Sequence, residues 1–393
     1  MSGSSAATAP RWPTPVEWRT AAALVLATRA AFWLVAWLAQ WLLAGSTGRL
    51  ATGVGHWRRW DADIYVKIAE HGYAGAGAEP WSEAFLPGWP LVLRAVAALG
   101  VPHTVAALAM TTVATTVAVA FLMRLVDEEP PPPTDTGAPS GGSAGRRAAV
   151  YLLVFPTAVF LVAGYSEALF LAGAIPAFRE ARRGRWSRVA LPAAVAVATR
   201  WTGLFLLAGL AVELTLQLRR RPDDRTALLR RGPAALVAGA LPAVAYAGWL
   251  AVVRDDPWYF LTAQREGWGR AFVGPVDALR ATLATWDGDY PSAILLTWRL
   301  EVVAAVLGVV LLVELARRRE WGYATYAGTT LAVLLTSSWY YSVPRALLVL
   351  FPAVIVLADL TDRRPSAHEA TVLVLAPLAT LGVVVFTRGG WFF

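Results

Sequence analysis

The amino-acid sequence predicts an all-α polytopic membrane protein. Hydrophobic residues occupy 57% of its 393 positions and charged residues only 16%, whereas soluble domains carry about 25% charged residues. Several apolar runs reach the roughly 20 residues that a transmembrane helix needs. Basic residues gather in short clusters between these runs, a pattern typical of cytoplasmic loops.

The positions of the basic clusters distinguish a membrane protein from a nucleic-acid-binding protein. They lie at residues 179–188, 219–232, 317–320 and 362–364, and the net charge is +8. Because they alternate with apolar runs, the positive-inside rule explains them better than a nucleic-acid-binding surface does. The sequence therefore predicts membrane lipid, and no nucleic acid, as a partner. It contains no cysteine, which excludes disulfides, thiolate zinc sites and cysteine nucleophiles.

The first third of the chain predicts one span followed by a large outer loop. Residues 1–17 are small and polar, which is typical of a disordered cytoplasmic tail. The run at 18–44 is too long for a cleaved signal peptide, so we interpret it as a signal anchor in the plasma (inner) membrane with a cytoplasmic amino terminus. Outer loop 1 then covers about 45–103. Its short apolar segment at 85–100 predicts an interfacial or re-entrant helix.

The remaining chain predicts further spans with two outer breaks. A span at 104–125 leads to a flexible cytoplasmic linker at 126–147, rich in Pro, Gly and Ser. The run 148–178 is too long for one span and is expected to turn at 164–167, and the run 189–218 is expected to turn near 199–203. Later spans are predicted at 233–253, 298–315, 322–337, 345–361 and 369–387, with an outer loop at about 254–297. The total is about eleven spans within a transmembrane domain at 18–393.

An unusual concentration of charge follows the first span, in the stretch GHWRRWDADIYVKIAEHGY at 55–73. Its helical periodicity places Asp61 on the same face as Ile64, Tyr65 and Ile68. Asp63 instead stands four residues before Lys67 and predicts a surface ion pair. Asp61 either caps the helix or acts in a site. Direct metal binding by both aspartates is disfavoured, because positions i and i+2 do not share a helix face.

Other ionisable residues are expected at the outer ends of spans. An ionisable group inside a membrane costs about 2.5–3.5 kcal/mol on insertion scales, so each is a functional candidate. Glu167 lies at a predicted turn, where it is either solvated or functional. Arg200 lies inside an apolar run, and Arg345 opens the predicted span at 345–361, where it either reaches lipid phosphate or serves a site. Arginines facing carboxylates would suit an anionic ligand.

Six motifs carry a resemblance to a known family. Across residues about 20 to 390 the order is RWDADIYVKIAEHGY, FLPGWPLVLRAV, FPTAVFLVAGYSEALFLA, ATRWTGLFLL, AQREGWGR and VPRALLVLFP. This ordered set resembles bacterial PIG-V-like mannosyltransferases, relatives of the GPI mannosyltransferase II family within the GT-C membrane glycosyltransferases. ATRWTG lacks the proline that more often follows the arginine in relatives, and FLPGWP has Gly-Trp in place of an aromatic pair. These departures leave the donor and acceptor open.

The resemblance implies a fold and a set of site residues. The implied GT-C fold has interfacial helices in its first outer loop, a sugar donor linked to a lipid phosphate, and an aspartate in that loop as base. The Trp-Asp, Tyr-Ser-Glu and Pro-Arg signatures of the family match Trp60-Asp61, Tyr165-Ser166-Glu167 and Pro344-Arg345. We therefore expect Asp61 to be catalytic. Asp63 and Glu167 are the expected supporting acids, Arg200 and Arg345 the donor-phosphate ligands, and Trp60, Tyr65, Tyr165, Trp268 and Arg270 the candidate substrate-binding residues.

The expected reaction follows from the leaving group. A polyprenyl phosphate leaves readily, so one carboxylate to deprotonate the acceptor hydroxyl and cations to stabilise the phosphate suffice. No cofactor is required, and a divalent metal is not favoured. Attack from the opposite face would invert the anomeric carbon, and the acceptor would be a lipid, glycan or protein. A transporter or lipid flippase, or a catalytically inactive subunit of the same fold, are the alternatives; transporters usually show two related halves, which this sequence lacks.

Overall fold

The protein is helical throughout the part that the computed structural model describes, residues 12–43, 53–128, 144–362 and 364–393. These residues form seventeen α-helices, four short 3₁₀ turns and one isolated β-bridge between Phe272 and Ser337. The helices are α1 (Pro15–Leu43), α2 (Asp61–His71), α3 (Gly88–Ala97), α4 (His103–Glu128), α5 (Ala144–Leu153), α6 (Val159–Val162), α7 (Glu167–Arg182), α8 (Ala190–Thr199), α9 (Thr202–Arg220), α10 (Arg225–Arg254), α11 (Tyr259–Trp268), α12 (Pro275–Ala284), α13 (Ser292–Arg317), α14 (Trp321–Leu335), α15 (Val343–Val349), α16 (Pro352–Thr361) and α17 (Pro365–Thr387).

The all-α polytopic class is confirmed, but fewer helices than expected are long enough to cross a bilayer. Within the described residues, α1, α4, α9, α10, α13 and α17 meet the length and apolarity of a span, and the bent pair α15–α16 would make a seventh. The expected number was about eleven. The other expected spans correspond to α5 to α8 and α14, which have between 4 and 16 residues. They are shorter than the roughly 20 residues that span a bilayer in one straight helix.

Prolines account for two breaks that the hydrophobic pattern did not reveal. The expected helix before residue 164 divides into α5 and α6 around Pro156, and the expected span at 345–361 divides into α15 and α16 before Pro352, with a bend of 74°. Proline lacks a backbone N–H and clashes with the preceding turn, so it ends or bends a helix without interrupting the apolar run. The breaks expected at 164–167 and near 199–203 are both present.

The expected tail, linker and loops are only partly described. Helix α1 begins at Pro15, inside the expected tail, and α4 and α5 extend into the expected linker from either side. Residues 1–11 and 129–143 lie outside the described residues. Outer loop 1 contains the ten-residue helix α3 where the sequence predicts a short one, and α11 and α12 occupy the loop expected at 254–297.

Helix α7 lies at the centre of the molecule and links its two ends. It packs against α4 and α8, while α9 packs against α14 and α8 against α10. The carboxyl-terminal end of α7 carries Arg179, which is fully buried and donates to Glu128 at 2.8 Å and 2.9 Å. Arg182 pairs with Glu320 there at 2.9 Å, so two of the basic clusters meet. The first residue of α7, Glu167, lies about 22 Å from Arg182 along the helix axis, since α-helices rise 1.5 Å per residue.

Outer loop 1 is attached to the break before α7. The indole of Trp89 in α3 donates to the Gly164 carbonyl at 2.9 Å, and Tyr65 in α2 shares a hydrogen bond with Ser166 at 2.9 Å. Gly164 permits this approach, because a Cβ there would lie 2.8 Å from the Cβ of Ala107 in α4. These contacts hold α2 against the amino-terminal end of α7.

Candidate active site

Asp61 is the first residue of α2 and follows a residue with an unusual backbone. Trp60 has φ 53° and ψ −128°, a region that a residue with a side chain rarely occupies and that costs about 1–3 kcal/mol. Trp60 is the N-cap residue, and no side-chain hydrogen bond caps the helix. Asp61 is therefore not the helix cap. Its carboxylate instead accepts a hydrogen bond from Arg345 Nη1 at 2.5 Å.

Glu167 is the first residue of α7 and is completely buried. Its Oε1 atom accepts hydrogen bonds from Arg345 Nε and from Arg200 Nη1, the latter at 2.6 Å. The alternative of a solvated turn residue is therefore excluded. Oε2 of Glu167 is also buried and has no hydrogen-bond partner among the described residues. Both acids lie in the first turn of a helix, where the positive end of the helix dipole stabilises a carboxylate.

Arg345 bridges the two acids from the first turn of α15. Its guanidinium lies between two aromatic rings, 4.9 Å from the centre of Phe160 and 4.6 Å from that of Tyr165. Only 9% of the Arg345 side chain is exposed. The alternative that Arg345 extends along the membrane surface to a lipid phosphate is therefore excluded. The rings and carboxylates together hold the guanidinium in one orientation.

Arg200 completes the set from the break between α8 and α9. Besides Glu167, its Nη1 atom contacts Ser166 Oγ at 3.2 Å. Asp61, Glu167, Arg200 and Arg345, hereafter the ion-pair cluster, come from four segments as far as 284 residues apart in sequence. Their two negative and two positive charges balance. An aspartate at 18% exposure beside two guanidinium groups is a suitable base for a hydroxyl group that enters from outside.

Asp63 does not join the ion-pair cluster. It pairs with Arg58 at 2.5 Å and with Lys67 at 3.1 Å, so the expected Asp63–Lys67 pair is confirmed. Burial raises the pKa of the Asp63 carboxyl, but the hydrogen bonds from Arg58 and Lys67 outweigh this effect and hold its pKa below the ordinary value. The structure thus separates Asp63 from Asp61. Among the described residues, no three His, Cys, Asp or Glu side chains converge as a metal site would require.

The five candidate substrate-binding residues have different positions. Tyr65 and Tyr165 are buried against the ion-pair cluster, and the Tyr165 hydroxyl donates to the Arg59 carbonyl at 3.4 Å. Trp60 is 46% exposed and its indole donates to the Gly390 carbonyl at 3.3 Å. Trp268 packs edge-on against Phe85, with ring centres 5.2 Å apart. Arg270 lies over the ring of Tyr341, with 5.0 Å between guanidinium and ring centre.

Glu301 is a site residue that the sequence analysis missed. It is fully buried in α13, and its two carboxylate oxygens accept hydrogen bonds at 2.7 Å from the backbone N–H groups of Ser342 and Val343. These groups are at the amino-terminal end of α15, where Ser342 has the left-handed φ of 63°. Glu301 therefore positions the turn that carries Arg345. The available signal was an acidic residue surrounded by apolar residues within a predicted span.

We expect Glu301→Gln to lower the activity proposed below by about 10- to 100-fold, because a hydrogen bond to a charged group contributes about 1.5–3 kcal/mol. Glutamine keeps the shape but replaces one acceptor oxygen by a donor that opposes a backbone N–H. Glu314→Gln, in the same helix but paired with Arg317 and Arg318, is the matched control. Initial rates of both variants test this expectation. Equal rates would show that Glu301 does not support the site.

Comparison with known proteins gives the site a family context. Residues 49–218 match the family model described as mannosyltransferase (PIG-V). Over 168 residues the chain is 34% identical to GPI alpha-1,6-mannosyltransferase 2 of Mus musculus, which covers 42% of this chain and 33% of the mouse protein. The human protein of that name is 32% identical over 164 residues, covering 41% of this chain and 32% of its own length. The matched part thus spans about a third of these relatives.

The matched region contains three members of the ion-pair cluster. Asp61, Glu167 and Arg200 lie within residues 49–218, whereas Arg345 and Arg270 lie beyond them. The resemblance that the motifs indicated is therefore confirmed, while a bacterial source stays a prediction because the matching relatives are mammalian. Over residues 49–218, this chain is similar in sequence to the PIG-V mannosyltransferases.

Proposed function

We propose that this protein is an inverting GT-C mannosyltransferase that moves mannose from a polyprenyl-phosphate donor to a lipid, glycan or protein acceptor. The observation that carries the proposal is the convergence of Asp61, Glu167, Arg200 and Arg345 in one ion-pair cluster. Three of these four residues lie in the part that is similar to mannosyltransferases. The arrangement supplies one partly exposed base and two cations beside it.

In the proposed reaction, Asp61 takes the proton from the acceptor hydroxyl as its oxygen attacks the anomeric carbon. The bond between that carbon and the phosphate oxygen breaks, and polyprenyl phosphate leaves with the electron pair. Asp61 then releases its proton to water. Single displacement of this kind inverts the anomeric centre, and no metal ion is needed.

Asp61 must first be freed from Arg345. Their hydrogen bond occupies a carboxylate oxygen that the acceptor hydroxyl needs. The negative charge of a bound donor phosphate would draw the guanidinium away from Asp61 and leave this oxygen free for the acceptor hydroxyl. The unpartnered Oε2 atom of Glu167 is placed to accept a hydrogen bond from a sugar hydroxyl.

We place the reaction at the outer face of the plasma membrane. The ion-pair cluster is at one end of α7 and two of the four basic clusters, 179–188 and 317–320, meet at the other, and basic loops favour the cytoplasm. The chain has no cysteine, so a single introduced one reports its side without interference. Glu266→Cys, at a residue in α11 whose side chain is 45% exposed, should react in intact cells with a membrane-impermeant maleimide. Reaction only after lysis would show that this residue faces the cytoplasm, which contradicts the proposed orientation.

The test of the function uses purified full-length protein and polyprenyl-phosphate mannose labelled in the sugar, with a membrane lipid extract as acceptor. We expect a labelled product together with release of polyprenyl phosphate. Release is followed as well because it does not depend on identifying the acceptor. Movement of the donor across vesicles without release would indicate a transporter or flippase. Neither product nor movement, with folded protein, would indicate an inactive subunit.

A further inference from the structure

Arg270 is a partly buried cation beside the ion-pair cluster, and no carboxylate among the described residues forms an ion pair with it. It lies between α11 and α12, after Gly269 in a left-handed turn at φ 64°. Its Nη2 atom makes one long hydrogen bond, 3.4 Å, to the carbonyl of Tyr341. Its Nε atom is buried without a partner, and no carboxylate in the described residues lies within ion-pair distance. Buried donors of this kind in native proteins call for an explanation, and a ligand is one.

The charge balance shows what kind of ligand would suit the site. The ion-pair cluster is neutral, since two arginines face two carboxylates. Arg270 adds one positive charge. Burial lowers the pKa of Arg270 and the charge of Arg345 acts in the same direction, whereas the negative charges of Glu301 and Asp61 act in the opposite direction. Glu301 does not pair with Arg270, and its two carboxylate oxygens accept hydrogen bonds from the backbone N–H groups of Ser342 and Val343. The guanidinium of Arg270 therefore keeps N–H donors that no carboxylate contacts, and a ligand with one negative charge would satisfy them.

A polyprenyl-phosphate sugar is a phosphodiester and carries one negative charge. We propose that Arg270 is the residue that binds the donor phosphate directly, an inference that rests on the proposed function. Arg200 and Arg345, the phosphate ligands that the sequence suggested, are already engaged by Glu167 and Asp61 and act mainly on those carboxylates. A guanidinium offers paired N–H donors that match two phosphate oxygens. The ring of Tyr341 holds its plane in place.

A guanidinium at this position would also stabilise polyprenyl phosphate as it leaves. When the bond to mannose breaks, the phosphate changes from a diester to a monoester and gains negative charge. A fixed cation at that atom stabilises the developing charge more than the initial one, which is the condition for lowering a reaction barrier. Arg270 would therefore affect both the binding of the donor and the rate of transfer.

The test is the binding of sugar-free polyprenyl phosphate, in micelles, to purified full-length protein. We expect Arg270→Gln to weaken this binding by about 10- to 100-fold, because a hydrogen bond to a charged group is lost. Arg270→Lys keeps the positive charge but lacks the paired N–H donors of a guanidinium, so its affinity should lie between those of Arg270→Gln and the unchanged protein. The matched control is Arg265→Gln, the same change five residues earlier at an exposed arginine paired with Glu266; its binding should equal that of the unchanged protein.

The measurements separate the two proposals. Equal binding by Arg270→Gln and Arg265→Gln, with unchanged thermal unfolding of both, would overturn the role of Arg270 even if the protein transfers mannose. Loss of binding in Arg270→Gln, in a protein that transfers nothing, would support the phosphate site and overturn the transferase. If Arg270→Gln unfolds early, binding by Arg270→Lys decides: binding equal to that of the unchanged protein contradicts the proposal, and weaker binding supports it.

Discussion

Asp61→Asn is expected to lower mannosyl transfer by about 10²- to 10⁴-fold, the range that general-base catalysis contributes, while the donor lipid still binds. Asparagine has nearly the same shape as aspartate but cannot accept the proton of the acceptor hydroxyl. Donor binding should be kept or strengthened, because the change removes a negative charge from the ion-pair cluster beside the proposed phosphate site. Transfer rates and donor affinity, measured on the same preparation, test both parts of this expectation.

The matched control for this variant is Asp63→Asn. It makes the same chemical change two residues away in α2, at a carboxylate that pairs with Arg58 and Lys67 and not with the ion-pair cluster. Surface ion pairs contribute about 0–1 kcal/mol, so the rate should fall no more than about fivefold. Full activity of Asp61→Asn, or an equal loss in both variants, would rule out Asp61 as the base.

Arg345→Met is expected to abolish transfer and to destabilise the protein by about 3–5 kcal/mol, because it leaves a buried carboxylate without one of its partners. Glu167 would retain only Arg200, and Asp61 would have no ion-pair partner among the described residues. The unfolding midpoint in detergent and the transfer rate report the two effects. Arg147→Met is the control, since it breaks an ion pair with Asp362 of 2.7 Å outside the site and should spare activity.

A second substitution distinguishes a local electrostatic effect from general damage. Glu167→Gln removes the buried negative charge that Arg345→Met leaves undercompensated, so the double variant should be more stable than the sum of the two single changes indicates. Its activity should remain absent. Strict additivity of the two changes in stability would show that Arg345 and Glu167 do not interact energetically, contrary to their contact in the structure.

The local pattern of the sequence was enough to identify the membrane class and two of the helix breaks, and to distinguish Asp61 from Asp63. Composition and apolar run length follow directly from the solvent that surrounds each segment. The breaks at 164–167 and near 199–203 contain polar and small residues within apolar runs. Asp61 was distinguished from Asp63 because residues two positions apart face different sides of a helix. The structure confirms this difference through their separate partners.

The tertiary structure decided which charges meet and which helices remain short. Arg345 reaches Asp61 across 284 positions, and no periodicity reports a contact between segments so far apart. Glu301 acquires its role only because α13 packs against the turn before α15. The proline breaks around residues 156 and 352 left the apolar runs intact, so hydropathy did not show that some of these runs are divided into shorter helices. Hydrophobic periodicity describes the surroundings of one helix at a time, whereas an ion pair depends on how several helices pack together.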